Sequence, residues 1–141
     1  MHIGLSGWRD GHYVGLAELL AALGRITADA SWELRIDEAA PGPEGAAIEA
    51  LAQRPRVSTR DLILAAFPDG QIIDGELRGY AHLLQEVVPA TAHRPDIVVR
   101  AIDGNWEIEC ATADLHAAVM AALPDSRDVT GLHHVTSPAE I

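Results

Sequence analysis

Trp32-Glu33-Leu34-Arg35-Ile36-Asp37 decides the architecture of this chain. Large apolar and charged residues alternate through it, and a side-chain period of two belongs to a strand with one face in a core and the other in water. Trp106-Glu107-Ile108-Glu109-Cys110 repeats the pattern. Strands with one charged face do not sit at the centre of a parallel sheet covered by helices on both sides. The expected fold class is therefore α+β: a two-layer sandwich, mostly antiparallel sheet with helices packed on one face.

The neighbouring segments extend this reading. Ile97 to Ile102 is a more fully apolar strand, and Asp103-Gly104-Asn105 supplies the residues of a tight hairpin turn before Trp106. The two strands are expected to pair antiparallel, with Trp106 and Ile108 buried and Glu107 and Glu109 exposed. Ile72 to Arg78 reads either as a strand kinked at Gly75 or as a small hairpin turning on Asp74-Gly75, and Ile3 to Ser6 as a short edge strand.

Leu16, Leu19, Leu20 and Leu23 recur at helical spacing ahead of Gly24, which predicts a helix from about His12 to Leu23. A second helix is expected from Pro43 through Ile48 and Leu51 toward Gln53. Ser58 is placed to cap a third, which carries Leu62, Ile63, Ala66 and Phe67 and stops at Pro68. A fourth starts at Thr112, buries Leu115, Val119 and Leu123, and stops at Pro124. Tyr80 to Val88 is also read as helical, from the spacing of Leu84 and Val88. No loop is long enough to separate two cores, so residues 1–130 are expected to form a single α+β domain and 131–141 a C-terminal tail.

Composition narrows the classes of partner. Among 141 residues, 21 are acidic and 10 basic, a formal charge of -11, which repels a phosphate backbone and argues against nucleic acid. No apolar run approaches the ~20 residues of a spanning helix and no basic-then-apolar leader is visible, so neither membrane insertion nor export is expected. Cys110 is the one cysteine, which rules out an internal disulfide and points to the cytoplasm. Its place in an alternating strand marks it as a buried, inert thiol.

The common catalytic and cofactor motifs are missing. Gly4-Leu5-Ser6-Gly7-Trp8 lacks the final glycine of a nucleophile elbow, and there is no dinucleotide fingerprint, Walker loop, H-E-x-x-H or calcium loop. Lysine is absent, which excludes a Schiff base. No cysteine cluster and no histidine pair at helical spacing suggests a metal, and the side chains of adjacent His133 and His134 diverge on an extended chain. No cofactor and no metal are expected.

What stands out is a set of carboxylates at strand positions, Glu33, Asp37, Asp74, Glu76, Glu107 and Glu109. If the strands share a sheet, these project from its wet face with Arg35, Arg78 and Arg100 among them, and Trp8, Tyr13 and Tyr80 lie in or near loops as aromatic anchors. The leading expectation is a non-enzymatic acidic protein that masks a basic protein partner, such as an immunity protein or antitoxin inhibiting a toxin. A merely solvated sheet face, kept charged against aggregation, would look the same. The alternatives are a small enzyme using Glu76 or Glu107 with His12 on a small molecule, an acidic secretion chaperone, or a homo-oligomeric domain. On the leading reading, reversing Glu107 and Glu109 to Arg slows association and leaves stability nearly unchanged.

Overall fold

The computed structural model describes residues 1–80 and 94–130. In chain order these form β1 (His2–Leu5), β2 (Trp8–Arg9), β3 (His12–Tyr13), α1 (Leu16–Leu23), β4 (Ser31–Ala39), α2 (Pro43–Leu51), β5 (Val57–Ser58), α3 (Thr59–Ala66), β6 (Ile72–Tyr80), β7 (Ile97–Ile102), β8 (Asn105–Cys110), α4 (Ala113–Ala122) and β9 (Arg127–Asp128). A seven-stranded antiparallel sheet runs in the order β5-β4-β6-β7-β8-β1-β9, and β2 and β3 make a separate two-stranded ribbon. The α+β sandwich read from the alternating strands is what forms.

The hairpin of β7 and β8 sets the register. Val99 lies opposite Ile108 and Ala101 opposite Trp106, all four in the core. Asp103 and Gly104 turn the chain with φ of 51° and 81°, the left-handed region that Gly adopts freely and Asp tolerates. The two-residue turn leaves Asn105 in the strand.

β6 is one continuous strand, and its pairing with β4 is irregular between Ile36 and Glu38. No hairpin turns on Asp74-Gly75. Gly75 is used for close approach, since a Cβ there would lie 2.7 Å from the Arg35 carbonyl oxygen. β1 is not an edge strand, because β9 pairs with its far side. A two-residue strand carries no alternation by which the sequence could announce it.

Asp10 and Gly11, with φ of 51° and 82°, form the turn of the β2–β3 ribbon. His12 is consequently in a strand, and α1 begins at Leu16, about a turn later than the leucine spacing alone suggested. Caps behave as their residue types dictate: Ser58 Oγ accepts from the Asp61 N–H at 3.0 Å, and Thr112 Oγ1 from the Leu115 N–H at 3.1 Å. On α4, Val119 and the following Leu123 are buried, whereas Leu115 is only partly covered. Tyr80 ends β6; the helix expected beyond it and the tail at 131–141 lie outside the described residues.

The four helices α1 to α4 of the described residues pack toward one core. α2 lies on β4 and α3, α1 on α3 and α4, and α4 on β8 and β1. The core joins Ile3, Leu16, Leu19, Leu20, Leu62, Leu77, Val99 and Ile108 around the fully buried Trp32. Trp32 Nε1–H donates to Thr59 Oγ1 at 2.7 Å, and Thr59 donates in turn to the Thr27 carbonyl, so both the indole and the hydroxyl are satisfied inside the core. The opposite face of the sheet carries the charged residues.

Candidate functional site

Cross-strand register orders those charges. Across β4, β6, β7 and β8 one row reads Arg35, Glu76, Arg100, Glu107, with Glu33 opposite Arg78 beside it. Opposite signs therefore face each other at every step. Glu76 accepts from Arg78 Nε at 2.7 Å and from Arg100 Nε at 3.3 Å, while Arg100 also reaches Glu109 at 2.9 Å and Glu107 at 3.4 Å. Arg35 pairs with Asp37 at 3.3 Å, and Arg56 lies 3.6 Å from Glu33.

The arginines expected among the carboxylates are thus paired with them, and the wet face is mixed in charge. Six expected carboxylates share the surface with four arginines, and the side chains of Glu76 and Glu107 retain only 11% and 15% of their exposure. Glu107 and Glu109, expected to be exposed, are half-buried around Arg100. Burial alone would raise the pKa of Glu76, but the bonds and charges of Arg78 and Arg100 outweigh it and hold the carboxyl below its ordinary value. Glu109 is lowered in the same way, with Arg100 overcoming burial. Reversing Glu107 and Glu109 would set two further cations beside Arg100 and leave it Glu76 alone, which argues against the expected indifference of stability.

The three aromatic candidates separate as clearly. Tyr80 donates its hydroxyl to Glu33 at 2.8 Å, and the Arg56 guanidinium sits 4.0 Å from its ring centroid. Its pKa is raised by burial and by Glu33. Tyr13 is half-buried, packs edge-on against Trp8 at 5.8 Å, and is pushed up to about 12 by burial. Trp8 remains 60% exposed.

Trp8 stands at one end of the sheet. The Gly7 N–H donates to Asn105 Oδ1 at 2.9 Å, and Gly7 lies so close to the Gly104 carbonyl that a Cβ would overlap it. The ribbon is thereby seated on the β7–β8 turn. That turn is tied to β6, because the Asp103 N–H donates to Asp74 Oδ1 at 3.3 Å and the Gly104 N–H to the Ile73 carbonyl at 3.2 Å. Asp10 at the ribbon tip, Asp74, Asp103 and exposed Ile102 thus belong to the same end as Trp8. Among the described residues none of these three aspartates has a cationic side chain against it. A cavity of about 470 Å³ opens where β1 and β8 meet the base of the ribbon, lined by Ser6, Asn105, Trp106, Asp125 and Arg127.

Sequence reasoning named Trp8 and Asp74 but not Asp10 or Asp103. Each stands in an Asp-Gly pair, a turn signal that says nothing by itself about binding. Bringing the two turns together depends on β1 pairing with β8, which the sequence does not display.

The histidine chemistry is arranged differently from expectation. His12 Nε2 lies 3.2 Å from Glu18 on the surface, while Glu76 and Glu107 are held by Arg100, so neither carboxylate is paired with His12. Among the described residues, no group of three or more His, Cys, Asp or Glu side chains is placed to hold a metal ion. No described helix is long and apolar enough to cross a membrane. Cys110 is buried, and burial pushes its thiol up to about 11. Comparisons with protein-family models, with curated proteins and with solved structures find no match for this chain.

Proposed function

We propose that this chain is a non-enzymatic binding protein that masks a basic protein partner, as an immunity protein or antitoxin does, and that the partner docks on the Trp8 end of the sheet. The observation that carries this reading is a Trp left 60% exposed on a short ribbon, at a sheet end that holds three aspartates without a cation of their own. A large, rigid aromatic supplies contact area at little entropic cost, and such residues dominate binding energy where they are buried by a partner. Carboxylates that no internal arginine compensates keep their field for an incoming cation, and the formal charge of -11 adds long-range steering. The cavity lined by Ser6 and Asn105, the residues that flank the base of the ribbon, has room for a partner side chain. Glu33, Glu76, Glu107, Glu109 and Tyr80, engaged with Arg56, Arg78 and Arg100, serve to hold the sheet. A lone, buried Cys110 supports a cytoplasmic setting.

The test is affinity capture from the source cell with two baits, the wild type and Asp10→Asn/Asp74→Asn/Asp103→Asn. Asn tolerates the left-handed turn positions and keeps the acceptor at residue 74, so charge changes while the turns remain. The captured partner is expected to be basic, and its association with the wild type to slow steeply with salt while dissociation changes little. The triple variant is expected to associate about tenfold more slowly. An acidic partner, or association indifferent to both salt and the substitutions, would refute the proposal.

A further inference from the structure

Between α1 and α3 lies an open groove of about 460 Å³, inside the range of about 300–1,000 Å³ in which small-molecule sites fall. The two helices run antiparallel. The Leu16 N–H that opens α1 donates to the Gly70 carbonyl beyond the end of α3 at 3.4 Å, and Thr59, which opens α3, donates through Oγ1 to the Thr27 carbonyl beyond the end of α1. Arg25, just past α1, and Arg60, in the first turn of α3, are thereby brought to the same end of the groove. Leu20, Ala21, Ile63 and Leu64 line the rest of it, with Leu64 left 64% exposed, and no acidic residue is on the wall. Among the described residues neither Arg25 nor Arg60 pairs with a carboxylate, whereas Arg9, Arg54, Arg78 and Arg100 do.

We propose that this groove binds a fatty carboxylate, its chain along Leu20, Ala21, Ile63 and Leu64 and its head at Arg25 and Arg60. The chain supplies affinity, about fourfold for each methylene taken out of water. The guanidiniums supply selectivity, because their planar fork of N–H donors matches the two oxygens of a carboxylate. Segregation of charge at one end is what favours an amphiphile over a protein. An acidic amphipathic helix carries its acids along its whole length, and a second copy of this chain would have to bring to the groove carboxylates that the groove itself lacks. Neutral and cationic amphiphiles gain nothing from the arginines. With a formal charge of -11 the chain repels anions at long range, so any preference for the carboxylate has to come from these two residues.

Calorimetric titration of the full chain with octanoate, octanol and octyltrimethylammonium, each below its micelle-forming concentration, tests this, with methyl NMR to locate the bound molecule. Arg25→Gln/Arg60→Gln removes both charges, and Ala21→Trp fills the groove while leaving charge alone. All three positions are exposed, so thermal melts should match the wild type. The expected result is one octanoate per chain, with shifts at the Leu20, Ile63 and Leu64 methyls and an affinity about tenfold above that of either control amphiphile. Ala21→Trp should weaken octanoate about tenfold or more, and the double Gln variant should bring it down to the level of octanol. No octanoate binding up to about 10 mM, equal affinity for octanol, or indifference to loss of both arginines would overturn the proposal. So would methyl shifts confined to another surface, or a groove that leaves octanoate free and takes a second copy or an acidic helical peptide instead.

Discussion

Replacing Gly79 by Ala tests the packing on which the sheet register rests. Gly79 lies opposite Trp32 on one side and Ile97 on the other. A Cβ there would come within 2.7 Å of Trp32 Cζ3, 2.9 Å of Cη2 and 2.7 Å of Ile97 Cγ2, all inside ordinary contact distance. The indole cannot swing aside, because it is fully buried and bonded to Thr59 at 2.7 Å. Overpacking of this kind costs about 1–3 kcal/mol. The loss of chain entropy in the unfolded state returns about 0.5–1 kcal/mol, so Gly79→Ala should destabilise by about 1–2 kcal/mol. Trp32→Phe alone removes the outer ring and the Thr59 bond and should cost about 2–3 kcal/mol. Phe also lacks the atoms that Cβ would strike, so the double variant should lose less than the sum by about 1 kcal/mol or more. Urea unfolding followed by circular dichroism measures all three. Gly79→Ala that stabilises the protein, or losses that add within about 0.5 kcal/mol, would refute the packing argument.

The charge network predicts a pH dependence. Because Glu76 has a lowered pKa in the folded protein, its contribution is full above the ordinary carboxylate range and is lost as pH falls through the lowered value. Glu76→Gln should lose about 1–2 kcal/mol near neutrality, with the gap to wild type closing in acid; a constant gap would exclude the arginine contacts as its cause. Cys110, buried and raised to about 11, should react with a disulfide reagent at mildly alkaline pH only on unfolding. Rapid stoichiometric labelling of the native protein would contradict its burial.

Strands with a strict period were legible because one buried face fixes every other residue: Trp32, Trp106 and Ile108 are core for that reason. The capped helices were legible from Ser58 and Thr112. The β2–β3 ribbon and β9 were not, since two-residue strands have no period and their partners are set by tertiary contact. The six carboxylates could be assigned to the wet side, yet which of them are neutralised depended on register, which placed Arg100 among Glu76, Glu107 and Glu109 and left Asp74 without a cation among the described residues. Trp8 was legible as an anchor only by its place near a loop; its exposure follows from a ribbon that Asp10-Gly11 closes.

The most direct measurement is the affinity of Trp8→Ala for the captured basic partner, together with iodide quenching of Trp8 in the free and bound protein. Trp32 and Trp106 are buried, so Trp8 is the tryptophan that iodide reaches. The account predicts shielding of Trp8 on binding and a Kd raised about 30-fold or more by Trp8→Ala, equivalent to about 2 kcal/mol, with an unchanged melt. A variant that binds as tightly as the wild type, with Trp8 still quenched in the complex, would contradict it.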